Sequence, residues 1–231
     1  MKNKQNQHQD FNSRLERLPE EDRKQVEAMQ KNLEKLQKDE PSNLREHLQA
    51  INDGVIAIII TIIVLEIKPA LHGTGYHNFL FEIVIFLVSF FIIADFWYDL
   101  HLIYSYFILT PKKGTAIANF AFLADLALLP VMTKWVMNEH STMAVANFGV
   151  VFLIAKILEY LVQYVGSRQT LSSNAMEVWL TRGFLARGII TIVFNLILIC
   201  LAFYIPQLVM LLYLATPLFS FLFPMRPNQI I

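Results

Sequence analysis

The chain has 231 residues, 55% of them hydrophobic and only 16% charged, and its mean hydropathy is +0.44. Soluble globular domains carry about 25% charged residues, so this composition excludes an ordinary water-soluble enzyme or binding module and points to the membrane. The net charge of zero hides an uneven layout, because ten of the 19 Lys and Arg precede residue 46 and a polar head therefore leads into an apolar body. The single cysteine, Cys200, excludes an intramolecular disulfide and argues against a cysteine metal site.

Residues 1–45 are expected to form a cytoplasmic polar extension. Because they are hydrophilic, no secretory signal is expected in them. Val26, Met29, Leu33 and Leu36 recur at helical spacing between residues 20 and 38, with a start at Pro19 and a break at Pro41 and Ser42. A solvated amphipathic helix explains this better than a coiled coil, which needs more heptads. The chain then enters an apolar run over residues 47–69, long enough to cross a bilayer. Its entry is polar at Asn52 and Asp53, its middle holds Thr61, and its far end holds Glu66. Ionisable groups in a span are expensive, so they mark this helix as the one to explain.

Five more spans are expected over residues 76–109, 115–137, 142–165, 182–204 and 207–223, with Pro206 between the last two. This gives an all-α integral membrane protein of six transmembrane helices, with a transmembrane domain over 46–225 and a cytoplasmic tail over 226–231. Lys112, Lys113, Arg168, Arg182, Arg187 and Arg226 fall at alternate loops, whereas residues 70–76 and 138–141 carry no Lys or Arg. The positive-inside rule then puts both termini in the cytoplasm, in a multi-pass protein of a plasma membrane. Residues 166–177 read as a polar cytoplasmic loop. The stretch 72–77, HGTGYH, reads as turn residues and not as a carbonyl filter, since no re-entrant pore helix precedes it.

In the second span Trp97 and His101 are four residues apart and share a face. Counted from the ends of their helices, they lie level with Asn52 and Asp53, so the four are expected to meet across a helix boundary. The alternative is an interfacial aromatic belt at Trp97 and Tyr98. Asp95 and Asp99 flank this patch. The third span holds Asn119, Leu123, Asp125 and Pro130, and the proline is expected to kink it. Lys156 and Glu159, three apart, read as a self-neutralising pair in the fourth span. No nucleophile elbow, phosphate loop, His cluster or basic–aromatic interleaving appears in the sequence. The chain is therefore not expected to be an enzyme, to carry a cofactor or fixed metal site, or to bind nucleic acid.

The first span, with Asp53, Gly54, Val55 and a run ending Leu65-Glu66-Ile67, resembles the first helix of the transmembrane protein 175 family of cation channels. Its Arg, Phe and Ser positions hold His47, Ile51 and Asn52 here. Ser89-Phe90 followed by Trp97 and His101, and Asn119, Leu123 and Pro130, are similar to the family's second and third helices. The resemblance implies a homotetramer of single-repeat chains around a pore lined by the first helix, embedded in membrane lipid and passing potassium with modest selectivity over sodium. It points to Ile58, Thr61 and Leu65, with Ile62 at the seam, as pore-lining residues. Periodicity alone does not choose that face, because residues 54–67 are apolar on every side. Ile58 and Leu65 would be dewetting collars with Thr61 as a polar ring between them. Asp53 and Glu66 would be carboxylates at the two mouths, raising the local cation concentration. A secondary transporter coupled through Asp53, Asp95 or Asp125, and a non-conducting scaffold, are the other classes the sequence allows.

Overall fold

The computed structural model describes residues 19–69, 75–139, 141–170 and 175–222. They divide into two compact units, Met1–Asn43 and Leu44–Ile231. All regular structure among them is helical.

Helix α1 spans Glu20–Leu65, with Glu20, Glu21 and Asp22 in its first turn, where acidic groups suit the helix dipole. Lys24 pairs with Glu20 one turn on, at 3.0 Å. The break expected at Pro41 and Ser42 is absent, and Pro41 lies inside the helix. Proline loses one N–H and crowds the carbonyl four residues back, a local cost of about 3 kcal/mol. Helix-forming sequence on both sides carries the backbone through.

Gly75, at φ 86°, sits in the left-handed region just before α2, Tyr76–Leu102, where a side chain would be strained. Of the glycine-rich stretch, residues 70–74 lie outside the described residues. The second span does not end as plain α-helix: Ile103–Phe107 forms a π-helical turn, closed by Ile108 N–H donating to the Ile103 carbonyl at 3.0 Å.

The third span is two helices and not one kinked rod. Helix α3 is Lys113–Leu126 and α4 is Leu129–Glu139. The turn between them is held by Ala127 N–H to the Leu123 carbonyl and Leu128 N–H to the Asp125 carbonyl. Pro130 sits in the first turn of α4, where a missing N–H costs nothing, so the chain breaks just before the proline.

Helix α5, Thr142–Thr170, is capped by Ser141, whose Oγ accepts from Ala144 N–H at 3.2 Å. It runs on to Thr170, so residues 166–170 of the polar loop expected over 166–177 are helix, while residues 171–174 lie outside the described residues. Gly166 makes this possible: a Cβ there would meet the Ile108 side chain at 2.5 Å. Helix α6 is Ala175–Ala202. Pro206 opens the short α7, Pro206–Leu212, and α8 is Ala215–Leu222.

Four helical stretches are long and apolar enough to cross a membrane: Glu40–Leu65, Tyr76–Phe107, Lys113–Glu139 and Thr142–Arg168. Gly188–Ala202 and Pro206–Leu218 are apolar but shorter. The core runs between the long helices. Phe96 packs edge-on against Phe122 and Phe152, with ring centroids 5.5 and 5.6 Å away. Phe148 and Phe152 in turn pack against Tyr213.

Candidate functional site: the first membrane helix

Within the membrane half of α1, two stripes separate by exposure. Leu48, Asn52, Ile56, Ile59 and Ile63 are buried against the other helices. Ile58, Thr61, Ile62 and Leu65 are not, Ile58 being 59% exposed and Leu65 80% against 3% for Ile59, and Ile51, Ala57 and Val64 beside them are exposed as well. At about 100° per residue the first four span one face of the helix, and the buried set lies roughly a third of a turn away. Hydropathy alone gives no such division. The Thr61 hydroxyl donates back to the Ile58 carbonyl at 2.8 Å, which leaves its oxygen lone pairs on the exposed side.

The polar entry of α1 is tied to α2 and α3. Trp97 Nε1 donates to Asp53 Oδ1 at 2.7 Å, and the His101 ring stacks on Trp97 with centroids 5.8 Å apart. The contact of Asp53 with Trp97 lies at the expected level, and His101 stacks on the same indole. Asn52 turns elsewhere: it is buried, and its Oδ1 accepts from Asn119 Nδ2 at 2.7 Å. Tyr104 O–H donates to the other side of Asn119, at 3.2 Å from its Oδ1. A buried amide needs such partners, since an unpaired one costs about 1–3 kcal/mol. Asn52, Asp53, Trp97, His101 and Tyr104 also line a small cavity of about 30 Å³ beside the helix. Tyr104 went unread in the sequence; its place in the π-helical turn that continues α2, seven residues past Trp97, is a signal that was available.

The far end of α1 is held differently. Glu66 forms an ion pair with Lys134 of α4, at 2.9 Å. Lys68 donates through its backbone N–H to Glu82 Oε2 at 2.7 Å and through Nζ to Asn138 Oδ1 at 2.6 Å. Glu66 is therefore not a bare carboxylate. Neither Lys134 nor Glu82 stood out from the sequence, although Lys134 lies 15 residues past Asn119 just as Glu66 lies 14 past Asn52. Once Asn52 and Asn119 are seen to be level, equal rise along parallel helices brings Glu66 and Lys134 together.

Lys156 and Glu159 pair at 3.0 Å, as their spacing suggests, but they are not alone. Lys156 Nζ also reaches Asp95 at 3.1 Å and Asp99 at 3.3 Å, and it stands 4.4 Å from the centroid of the Phe96 ring. All four charged side chains are buried. The pair thus bridges two helices, α2 and α5, away from the exposed stripe of α1.

Comparison with known proteins bears on this geometry. Residues 47–130 match the family model described as "Endosomal/lysosomal potassium channel TMEM175". A potassium channel of Chryseobacterium sp. (strain P1-3) is 28% identical over 168 residues, which cover 70% of this chain and 84% of that one. The crystal structure of a lysosomal potassium-selective channel TMEM175 homolog from Chamaesiphon minutus aligns with a TM-score of 0.56 at 20% identity, over 77% of this chain and 98% of that one. At that identity the last match speaks for the fold. The matched segment contains α1 from His47 together with α2 and α3, the three helices that carry the exposed stripe and the hydrogen-bonded entry. The chain is a multi-pass membrane protein by its long apolar helices, and its residues 47–130 are similar to the TMEM175 potassium channel family.

Proposed function

We propose that the chain is one subunit of a homotetrameric, potassium-permeable cation channel whose pore is lined by the membrane half of α1. The observation that carries this is the exposure of Ile58, Thr61, Ile62 and Leu65, on the helix whose buried stripe, about a third of a turn away, packs into the subunit. Four copies turned inward would set Ile58 and Leu65 as apolar collars around a ring of Thr61 oxygens. A narrow apolar collar admits an ion only after it sheds part of its water, so it restrains strongly hydrated ions most. That favours potassium over sodium by a modest margin. The network of Asn52, Asp53, Trp97 and His101 stands at the mouth nearer the N-terminus. Its hydrogen bonds support a positioning role that sets the tilt of α1. The subunit would cross a plasma membrane six times, with residues 188–202 and 206–218 belonging to the last two spans and both termini in the cytoplasm.

Purified chain reconstituted in liposomes tests this. A channel gives gradient-driven potassium flux that does not saturate at low concentration; a transporter saturates, and a scaffold gives none. Mass measurement in detergent should return four copies. A monomer without flux would end the reading.

A further inference from the structure

We propose that Lys134 sets the cation attraction of the pore mouth at the far end of α1, by neutralising Glu66. The proposal rests on the pore reading above and deepens it. Glu66 follows directly on Leu65, the most exposed apolar residue of the membrane half of α1. A bare carboxylate there would put one negative charge per subunit at the rim, and a ring of them would concentrate cations in front of the Leu65 collar. The structure supplies an ammonium at 2.9 Å from Glu66 Oε2. Lys134 reaches it from a different helix, and its side chain is 53% exposed while that of Glu66 is 25% exposed. The pair therefore stays in contact with water and ions. Its net charge is zero, so the rim at this level carries no attractive field beyond a few ångströms.

The other charged groups nearby keep their charges but do not adjoin the Leu65 collar in sequence as Glu66 does. The Lys68 ammonium is bonded to Asn138, which keeps a second positive charge close to the same end. The carboxylate of Glu82 is buried and accepts the Lys68 backbone N–H, and that of Glu139 accepts from Trp135 Nε1 and Ser141 Oγ. Glu66 is thus the carboxylate next to the stripe, and Lys134 is the group that masks it.

The signs of three variants follow from Coulomb's law with salt screening. Lys134→Gln removes the positive partner and uncovers Glu66. Glu66→Gln removes the carboxylate and leaves a bare ammonium. The double variant restores neutrality. In planar bilayers with about 20 mM KCl, where charges act over roughly 20–30 Å, Lys134→Gln should raise potassium current entering from the Glu66 side about threefold. Current entering from the opposite side should change much less, so the channel should rectify. Glu66→Gln should lower the same current by a similar factor, and the double variant should return close to the parent. At about 1 M KCl, where the screening length is about 3 Å, all three differences should vanish.

A purely structural clip gives another pattern: both single variants lose current from both sides at every salt concentration, and the double variant does not recover. That pattern would overturn the proposal, as would an unchanged rectification in Lys134→Gln. Should Lys134→Gln fail to assemble, Glu66→Gln alone still decides, because an unchanged or raised entry current contradicts a masking role. No current from the parent chain would instead end the pore reading, with the protein shown intact by its mass in detergent.

Discussion

Among the described residues, ion pairs join helices at Lys156 and at Lys134, and the two places stand in opposite surroundings. Lys156 meets Asp95, Asp99 and Glu159 between α2 and α5, with every charged side chain at most 5% exposed. Lys134 meets Glu66 between α4 and the end of α1, with side chains 53% and 25% exposed. The contact distances are nearly equal, about 3 Å in both. What differs is the medium. A buried charge has lost its water and depends on its partner, so removing one member strands the others. An exposed charge returns to water when its partner goes, and little stability is lost. The first pair therefore belongs to folding, and the second is open to its surroundings.

The comparison breaks most visibly at Lys156. Lys156→Met should destabilise the subunit by about 3–5 kcal/mol, because it leaves carboxylates clustered in the bundle without an ammonium. Thermal unfolding in detergent should show a large fall, with loss of assembled protein on size exclusion. Adding Glu159→Gln should recover part of it by removing one stranded charge. A stable Lys156→Met single variant would mean that the cluster is wetter than its burial states.

The same rule of burial separates two neighbours on α1. Ile59→Asn puts an amide without a partner among packed helices, a cost of about 1–3 kcal/mol, and should impair folding. Ile58→Asn is the same chemical change on the exposed stripe, and should leave assembly intact. It should raise current through the tetramer and lower the preference for potassium over sodium, since the amide replaces part of the lost hydration. Reversal potentials in a potassium–sodium gradient decide this. Equal effects from both variants would assign the pore to another face of the helix.

Between these extremes lies the entry network. Asn119→Leu leaves the buried Asn52 and Tyr104 without their shared partner and should cost about 1–3 kcal/mol. Trp97→Phe removes only the donor to Asp53, whose carboxylate is exposed and can be rehydrated, so its effect should be smaller. Thermal shifts measured side by side would rank the two. A larger effect from Trp97→Phe would show that Asp53 is more deeply held in the assembled protein than in the subunit.

Much of this was legible in the residues. The long apolar runs fixed the helical membrane class, and the meeting of Asp53 with Trp97 followed from counting residues along two helices. The face of α1 was not legible from its own pattern, because Ile56, Ile58, Ile59, Ile62 and Ile63 are the same residue type; resemblance chose it. The break before Pro130 was read as a kink, since sequence marks a lost hydrogen bond but not how far the chain then turns. The cluster at Lys156 was half seen, because helical spacing reports the neighbour on the same helix and is silent about Asp95 and Asp99 across the boundary. Lys134 was missed for the same reason, its partner lying some 70 residues away in sequence.

The smallest stability effect is expected at Lys134, and it is the one that sharpens the comparison most. Exposed ion pairs contribute about 0–1 kcal/mol, because each partner is well solvated alone and holding two long side chains together costs conformational freedom. Lys134→Gln should therefore shift the unfolding temperature by no more than a degree or two, and Glu66→Gln should do the same. Salt gives an internal control. Raising KCl from about 20 mM to about 1 M screens the exposed pair but hardly reaches the buried one. The parent and Lys134→Gln should thus converge in stability at high salt, while Lys156→Met remains far below both. A drop at Lys134 as large as that at Lys156, persisting at high salt, would mean that the Glu66–Lys134 pair is sealed from water once four subunits assemble. In that case it would be a second folding clip, and no charge at that level would be available to a passing ion.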